Sequence, residues 1–305
     1  MSLGERLMQL KDGRTLGYAV YGDPEGLPVF YFHGFPASRL EGRLPADAAA
    51  EIGIRLIAPD RPGFGLSDFA AGRKILDWPQ DVQELADHLE LERFAILGVS
   101  GGGPYSLACA LRLGARISAT ALVAPLGPVA EGKGSEEMNP FARMSFSLAR
   151  NHPRLFHFFY GKILVPLLRR RPTTILSLLQ PSAADKPVVE RPEVIERMES
   201  SIVEAFRRGG QGALHELRLY AHPWGFSLRD VEAKVHLWQG DQDGTVPLCM
   251  GEYIASELPD CDARFLSGEG HFSLAIDHSA EFFEVLRAFL TPKNPDQQPK
   301  QPEIR

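Results

Sequence analysis

Ser100 is the residue whose surroundings best suit nucleophilic chemistry. It lies in GVSGG, residues 98–102, which fits the pattern G-x-S-x-G and joins an apolar run to a helical pattern. At such a turn the chain reverses sharply, glycines stand where a Cβ would collide, and the serine hydroxyl projects above a sheet edge. The pattern predicts a strained backbone at Ser100 and a helix that begins at Gly101, whose N–H faces a developing anion. The structural alternative is a plain glycine-rich turn before a helix.

A serine hydroxyl is a poor nucleophile without a base, and the base needs an anion to fix its tautomer. Two later segments offer these groups, GDQDGTVP at residues 240–247 and GEGH at residues 268–271, and each follows an expected strand. Asp243 is favoured as the acid and Asp241 is its rival. His271 stands out among nine histidines because the order Ser, Asp, His then holds along the chain. The alternatives are a surface Asp-Gly turn and a structural histidine.

The segment His33-Gly34-Phe35-Pro36 directly follows the apolar run PVFYF. Acyl transfer develops an oxyanion, which two donors aimed at one point stabilise. The backbone N–H of Phe35 is expected to pair with that of Gly101 for this purpose. His33 is a candidate substrate contact, and a plain turn with a structural histidine is the alternative.

The elements that must position these residues alternate between strands and helices. Strands are expected at residues 14–21, 28–32, 54–58, 94–99, 117–124, 234–239 and 263–267, and helices at residues 38–52, 78–91 and 279–290. Near-continuous apolar strands in such an alternation indicate a mostly parallel sheet with helices on both faces.

Residues 126–229 show helical patterns without a good strand, and a stretch this long is not a structureless loop. The expected organisation is therefore a core at residues 1–125 and 230–292, a helical cap at residues 126–229, and a disordered polar tail at residues 293–305. The cap would lie over Ser100, because it joins strands that end at the catalytic edge. Candidate pocket residues are Met144, Phe146, Phe159 and Trp224, which alternatively pack inside the cap.

Composition limits the function classes. The chain has 305 residues and a net charge of −6, which argues against a nucleic-acid binder. Its three cysteines give no disulfide framework, and no Cys/His spacing suggests a metal. No apolar run is long enough to span a membrane, and no signal peptide is evident. We expect a cytoplasmic protein with a small-molecule substrate and without a cofactor, metal, nucleic acid or membrane partner.

Several segments together resemble the α/β-hydrolase superfamily. They are DGRTLGYAVYGDPEG, YFHGFPASR, APDRPGFGLSD, GVSGGGPYS, GDQDGTVP and GEGHFS. Within that superfamily the chain is similar to capped serine hydrolases of the proline-iminopeptidase and esterase or lactonase kind. The resemblance implies a mostly parallel eight-stranded sheet with an inserted helical cap. It also implies Ser100, Asp243 and His271 as a catalytic triad, with backbone donors at Phe35 and Gly101.

Departures from the family pattern narrow the activity. A serine nucleophile disfavours the haloalkane dehalogenase and epoxide hydrolase chemistries, which need a carboxylate there. Proline iminopeptidases typically have Gly-Gly-Pro-Gly where this chain has Phe-Pro after His33-Gly34. The expected function is hydrolysis of a small, partly apolar ester, lactone or related acyl compound through an acyl-serine. The alternatives are an aminopeptidase that holds its substrate amine through cap acids, and a non-catalytic ligand-binding protein. The cap acids on offer are Glu193, Glu196 and Glu199.

Overall fold

The computed structural model describes residues 3–132, 134 and 136–291, and the predicted disordered tail lies outside these residues. The chain forms an eight-stranded sheet in the order β1-β2-β4-β3-β5-β6-β7-β8. The strands are β1 (Leu3–Gln9), β2 (Thr15–Gly22), β3 (Leu27–Phe32), β4 (Ile54–Pro59), β5 (Phe94–Val99), β6 (Ile117–Val123), β7 (Val235–Gly240) and β8 (Cys261–Leu266). Strand β2 is antiparallel to β1 and β4, and every other pair is parallel. The predicted fold class is confirmed.

The helices pack on the sheet or lie between β6 and β7. The α-helices of the described residues are α1 (Ala46–Ile52), α2 (Trp78–His88), α3 (Gly103–Leu113), α4 (Pro140–Asn151), α5 (Pro153–Phe158), α6 (Val165–Arg170), α7 (Thr174–Leu179), α8 (Lys186–Val189), α9 (Pro192–Ala205), α10 (Gln211–Tyr220), α11 (Leu248–Glu257), α12 (His271–Asp277) and α13 (Ser279–Leu290). None of these described helices combines the length and the apolar character that crossing a bilayer requires.

Both faces of the sheet are buried. Along β3, Phe30 and Phe32 pack into one apolar cluster with α2 and α3, while Val29 and Tyr31 pack into another with α1 and α13. Successive side chains of a strand point to opposite faces. A strand that is apolar at every position therefore needs cover on both sides, which is why the apolar runs predicted this architecture.

Two elements differ from the sequence-based expectation. The helix expected over residues 38–52 is a 3-10 helix at Arg39–Arg43 followed by α1, with Pro45 between them. Proline has no N–H to continue a helical ladder, so the break falls there. Strand β1 was not expected at all. It is an edge strand that pairs only with β2 and carries Glu5 and Arg6, and charged residues are typical of edges.

The residues between β6 and β7 form helices α4 to α10, and the described part of this segment contains no strand. We call it the helical insertion. Its content agrees with the helical patterns seen in the sequence, while the domain boundaries at residues 125–126 and 229–230 stay a prediction. Ion pairs of two buried arginines join the insertion to the core: Arg61 to the buried Glu216 at 2.7 Å and Arg39 to the partly exposed Glu204 at 2.7 Å.

The nucleophile turn depends on close backbone packing at Gly102. A Cβ at this position would overlap the carbonyl oxygen of Phe32, which is backbone and cannot move aside like a side chain. We predict that Gly102→Ala lowers the free energy of unfolding by about 1–3 kcal/mol, measured by urea denaturation.

Gly114→Ala is the matched control. Gly114 has helical backbone angles, and a Cβ there would meet nothing within 4 Å. Its free energy of unfolding should stay unchanged or rise by less than about 1 kcal/mol. Equal losses in both variants would show that the packing at Gly102 is not the cause.

Candidate active site

Ser100 sits on a strained turn between β5 and α3. Its φ of +53° lies in the left-handed region, as the G-x-S-x-G pattern predicted. A non-glycine residue in this region costs about 1–2 kcal/mol, so surrounding contacts must hold it there. One of them is the hydrogen bond from Leu126 N–H to the Ser100 carbonyl, at 3.0 Å. Side chains on both sides of β5 are buried, which fixes the strand that delivers the turn.

Asp243 and His271 are hydrogen-bonded to each other. The His271 Nδ1 lies 2.8 Å from Asp243 Oδ2, and both side chains are buried. Because an ionised carboxylate only accepts, Nδ1 carries the proton and Nε2 is left with its lone pair. The loop after β7 supplies Asp243, and α12 begins at His271 after β8. The rival Asp241 is exposed and instead accepts hydrogen bonds from Ser267 and Gly268.

Asp243 is fixed by three further donors. Its Oδ1 accepts the backbone N–H groups of Thr245 at 2.8 Å and Val246 at 2.7 Å. Its Oδ2 accepts the side-chain amide of Gln239 at 3.0 Å in addition to His271. These donors satisfy the buried carboxylate and determine which way it faces, so the imidazole orientation follows from the loop.

Asp185 of the helical insertion holds the beginning of α12. Its Oδ1 accepts the N–H groups of Phe272 at 2.7 Å and Ser273 at 3.0 Å, and the side chain is fully buried. Its Oδ2 accepts the N–H and hydroxyl of Ser182. A carboxylate at this position satisfies N–H groups that have no partner within the helix. An insertion residue thus fixes the helix that carries His271.

Charges around His271 determine its protonation. Burial by itself lowers the pKa of His271, but the carboxylate of Asp243 raises it, and Asp185 and Glu41 add to this effect. The net result is a pKa above the ordinary imidazole value. His271 is therefore a stronger base than an isolated histidine, and its imidazole is neutral at a pH above this raised pKa.

The loop after β3 approaches Ser100 as the sequence suggested. A Cβ placed on Gly101 would lie 3.0 Å from the Phe35 Cβ, so the two backbone segments are neighbours. The Phe35 N–H donates no hydrogen bond to any residue that the structure describes. Gly101 is the second residue of the 3-10 helix Ser100–Gly102, where an N–H has no intrahelical acceptor. The N–H of Gly34, in contrast, is engaged by Glu41 Oε1 at 2.7 Å.

His33 is a buried residue of the loop after β3 and contacts the backbone of that loop. It is fully buried, and burial lowers its pKa well below the ordinary value, helped by Arg61. The neutral ring has Nδ1 2.9 Å from the Gly34 carbonyl, while Nε2 accepts the Arg61 N–H at 3.4 Å. The Arg61 guanidinium also donates to the carbonyls of His33 at 2.5 Å and Gly34 at 2.9 Å.

A buried ionic cluster links this loop to the helical insertion. Glu216 of α10 pairs with Arg61 and Arg73, and all three side chains are buried. Burial alone raises the pKa of Glu216, but the two guanidinium groups lower it to about 2. The Tyr220 hydroxyl lies 2.8 Å from Glu216 and 2.7 Å from the Gly101 carbonyl, so its single hydrogen serves two acceptors. Helix α10 therefore contacts the turn beside Ser100.

Two cavities meet at Ser100. The His271 cavity contains about 750 Å³, partly open to solvent, and is lined by Ser100, His271, Glu41, Tyr31 and mainly apolar side chains. The insertion cavity contains about 820 Å³, also partly open, and is lined by Ser100, Gly101 and apolar side chains of the insertion. The residues shared by both are Phe35, Pro36, Ser100, Ile175, Leu179 and Thr245.

The predicted substrate contacts divide between these cavities and the interior. Phe146 lines the insertion cavity. His33, Met144, Phe159 and Trp224 are not among the residues that line either cavity. Met144 is 41% exposed, while His33 and Trp224 are buried. Side chains on one amphipathic helix face different directions, and the sequence does not reveal which turn of the helix faces the core.

Three charged groups at the site escaped the sequence analysis: Glu41, Asp185 and Glu216. Glu41 lies seven residues after Gly34 and reaches back to it, and Asp185 lies in the insertion, far along the chain from His271. Arg61 belongs to a segment that carried the family resemblance, but its partner Glu216 is 155 residues away. Contacts between residues so far apart along the chain produce no local sequence pattern that could predict them.

The sequence profile of a protein family described as the alpha/beta hydrolase fold matches residues 28–277. The chain belongs to this family. The match covers Ser100, Asp243 and His271 and confirms the resemblance at the level of the superfamily. The closer likeness to capped serine hydrolases stays a prediction.

Among relatives, the chain is 25% identical to the uncharacterized hydrolase YcgS of Bacillus subtilis, over 92% of this chain and 96% of the relative. Among solved structures, it is similar to a thermophilic esterase from Thermogutta terrifontis, with a TM-score of 0.66 and 22% identity, covering 94% of this chain and all of the other. An esterase from Exiguobacterium antarcticum gives a TM-score of 0.69 and 19% identity, covering 94% and 99%. At such identities the structural likeness shows the fold.

We predict that Asp185→Asn moves the acid limb of the kcat/KM profile to lower pH. The asparagine can still accept the Phe272 and Ser273 N–H groups but lacks the negative charge. Losing that charge lowers the pKa of His271, so the neutral base forms at lower pH. Loss of the carboxylate at the helix start should also lower the free energy of unfolding by about 1 kcal/mol.

Asp277→Asn is the control on the same helix. Asp277 is exposed and pairs with Arg191 at the surface. Its removal takes away the same charge without touching the start of α12, and surface pairs contribute about 0–1 kcal/mol. If the two variants shift the acid limb equally, Asp185 does not act on His271 specifically.

Proposed function

We propose that this protein is a serine hydrolase that cleaves a small, partly apolar ester, lactone or related acyl compound through an acyl-Ser100 intermediate. The observation that carries the proposal is the hydrogen bond of 2.8 Å between His271 and Asp243, at a cavity that Ser100 also lines. The proton on Nδ1 leaves Nε2 as the basic atom. The strained turn that presents Ser100 supports the same role.

In the proposed reaction, His271 takes the hydroxyl proton of Ser100 as the oxygen attacks the substrate carbonyl. Asp243 holds the imidazole in the required tautomer and stabilises the imidazolium that forms. The N–H groups of Phe35 and Gly101 stabilise the oxyanion. His271 then gives its proton to the leaving group, and a water molecule, activated by the same imidazole, hydrolyses the acyl-serine.

The insertion cavity favours an apolar acyl group. Among the described residues, no Asp, Glu, Lys, Arg or His side chain lines it. Phe146, Leu214 and Leu217 contribute to its wall, and burying an alkyl chain against such side chains contributes about 0.8 kcal/mol per CH₂. An apolar acyl group fits this chemistry.

An aminopeptidase has less support. Such an enzyme needs a carboxylate for the free amine of the acyl residue, and Glu193, Glu196 and Glu199 are not among the residues that line either cavity. Glu196 pairs with Arg43 at the surface. A ligand carrier also has less support, because it has no use for a serine held at positive φ beside a hydrogen-bonded His–Asp pair.

We predict that a fluorophosphonate probe labels Ser100 and that Ser100→Ala and His271→Ala lose both labelling and hydrolysis of p-nitrophenyl acetate. The loss in kcat should be at least about 10⁴-fold, because the nucleophile and base act as a unit. Intact-mass spectrometry with peptide mapping and a chromogenic assay measure the two effects.

Ser106→Ala is the control within the same turn and helix. The Ser106 hydroxyl donates to the Gly102 carbonyl and is fully buried. This variant should keep the label and most of the turnover. Unchanged hydrolysis in Ser100→Ala, or a label on another residue, would refute the proposed function.

A further inference from the structure

The two cavities at Ser100 differ in the charge that they offer a ligand. The insertion cavity has no carboxylate or basic side chain among the described residues that line it, whereas the His271 cavity contains Glu41. The other ionisable groups of the His271 cavity are Tyr31 and His271 itself, and no Lys or Arg among the described residues lines it. One of the two cavities therefore has no charged side chain in its described lining, and the other contains one carboxylate without a lysine or arginine beside it in the lining.

The position of the base decides which half receives which part of a substrate, an argument that rests on the proposed function. A histidine that takes the serine proton later delivers it to the leaving group, so the leaving group must lie on its side. His271 lines only the first of the two cavities. The leaving group therefore occupies the His271 cavity, and the acyl group occupies the insertion cavity.

Glu41 is held in place by one of its oxygens. Oε1 accepts the Tyr31 hydroxyl at 2.8 Å and the Gly34 N–H at 2.7 Å. Oε2 accepts no hydrogen bond from the described residues, and Glu41 forms no ion pair with them within 4 Å. A Cβ placed on Gly34 would lie 3.4 Å from Glu41 Oε2 and 3.6 Å from the Ser100 Cβ, so the carboxylate is close to the nucleophile.

The surroundings of Glu41 Oε2 favour the binding of a cation. Burial raises the pKa of Glu41, although the Gly34 N–H, the Tyr31 hydroxyl and the charges of Arg61 and His271 counter this effect. A partly buried carboxylate that has no ion-pair partner within 4 Å among the described residues is costly, and a cationic ligand offsets that cost. Most of the remaining wall is apolar and includes Leu44, Met198 and Ile276, which suits alkyl groups on a nitrogen, and the hydroxyl residues Ser201 and Thr245 also line it.

We propose that the His271 cavity is a leaving-group subsite for an alkyl-substituted cationic nitrogen and that Glu41 is the residue that selects it. The substrate class is then an ester of an amino alcohol with a short apolar acyl chain. Glu41 does not take part in proton transfer here; it contacts the leaving group and determines specificity.

The test compares two butyrate esters that differ only in charge, butyrylcholine and 3,3-dimethylbutyl butyrate. In the second, a carbon replaces the quaternary nitrogen at nearly the same volume. Their kcat/KM ratio is measured for the wild type and for Glu41→Gln at about pH 8, well above the ordinary carboxylate pKa. The glutamine keeps an oxygen for Tyr31 and Gly34 but removes the charge. We expect the ratio to fall about tenfold, equivalent to about 1.4 kcal/mol, with less than about threefold change for the neutral ester.

Glu196→Gln is the matched control for a lost carboxylate. Glu196 is exposed and pairs with Arg43, outside both cavities. Its ratio should equal that of the wild type. A second measurement uses only the wild type, so a folding defect in the Glu41→Gln variant cannot affect it. In the wild type, choline should inhibit hydrolysis of the neutral ester about tenfold more strongly than 3,3-dimethylbutan-1-ol.

Each outcome either supports or overturns the proposed leaving-group subsite. An unchanged ratio in Glu41→Gln, or equal inhibition by the two alcohols, would overturn the subsite. Parallel loss of both esters would show that Glu41 only holds the loop at Gly34, which also overturns it. The neutral ester reports separately on the proposed function. If the wild type hydrolyses neither ester and Ser100 is not labelled by the fluorophosphonate, the proposed function itself fails. If Ser100 is labelled but neither ester is hydrolysed, or if both are hydrolysed without charge preference, only this inference is overturned.

Discussion

The hydrogen bond between His271 and Asp243 is the contact on which the rest of the site depends. It forms because the carboxyl ends of β7 and β8 lie side by side at one edge of a parallel sheet, where the loops that follow them meet. The turn after β5 brings Ser100 to the same edge. Strain at Ser100 and burial of Asp243 both oppose folding, so the packed sheet must stabilise them.

The helical insertion contributes more than a cover. It supplies Asp185 at the start of α12 and Glu216 beneath the loop after β3, and both carboxylates are fully buried with several donors. Glu216 belongs to buried ion pairs with Arg61 and Arg73, and removing one partner of such a pair leaves an uncompensated charge, which costs about 3–5 kcal/mol. The insertion therefore contacts the core through buried carboxylates at two places, at the start of the helix that carries His271 and beneath the loop after β3.

The sequence predicted much of the fold because its core strands are largely apolar and several of them end in glycine-containing segments. The segments that contain Ser100, Asp243 and His271 stood out because each follows such a strand. Strand β1 was missed because an edge strand has no such run. Glu41 and Asp185 were missed for another reason, since each acts on backbone N–H groups of a loop or helix that no local pattern connects to it. Which faces of the insertion helices line a cavity also depends on packing.

The most direct test of the central claim is a crystal structure of the protein after reaction with a small alkyl fluorophosphonate, which loses fluoride to the attacking serine and leaves an adduct that mimics the tetrahedral intermediate. We predict a phosphorus–oxygen bond to Ser100, a phosphoryl oxygen about 2.7–3.1 Å from the nitrogens of Phe35 and Gly101, and His271 Nε2 facing the adduct. A phosphoryl oxygen directed away from both amides, or an imidazole turned away from Ser100 while still bonded to Asp243, would contradict the account.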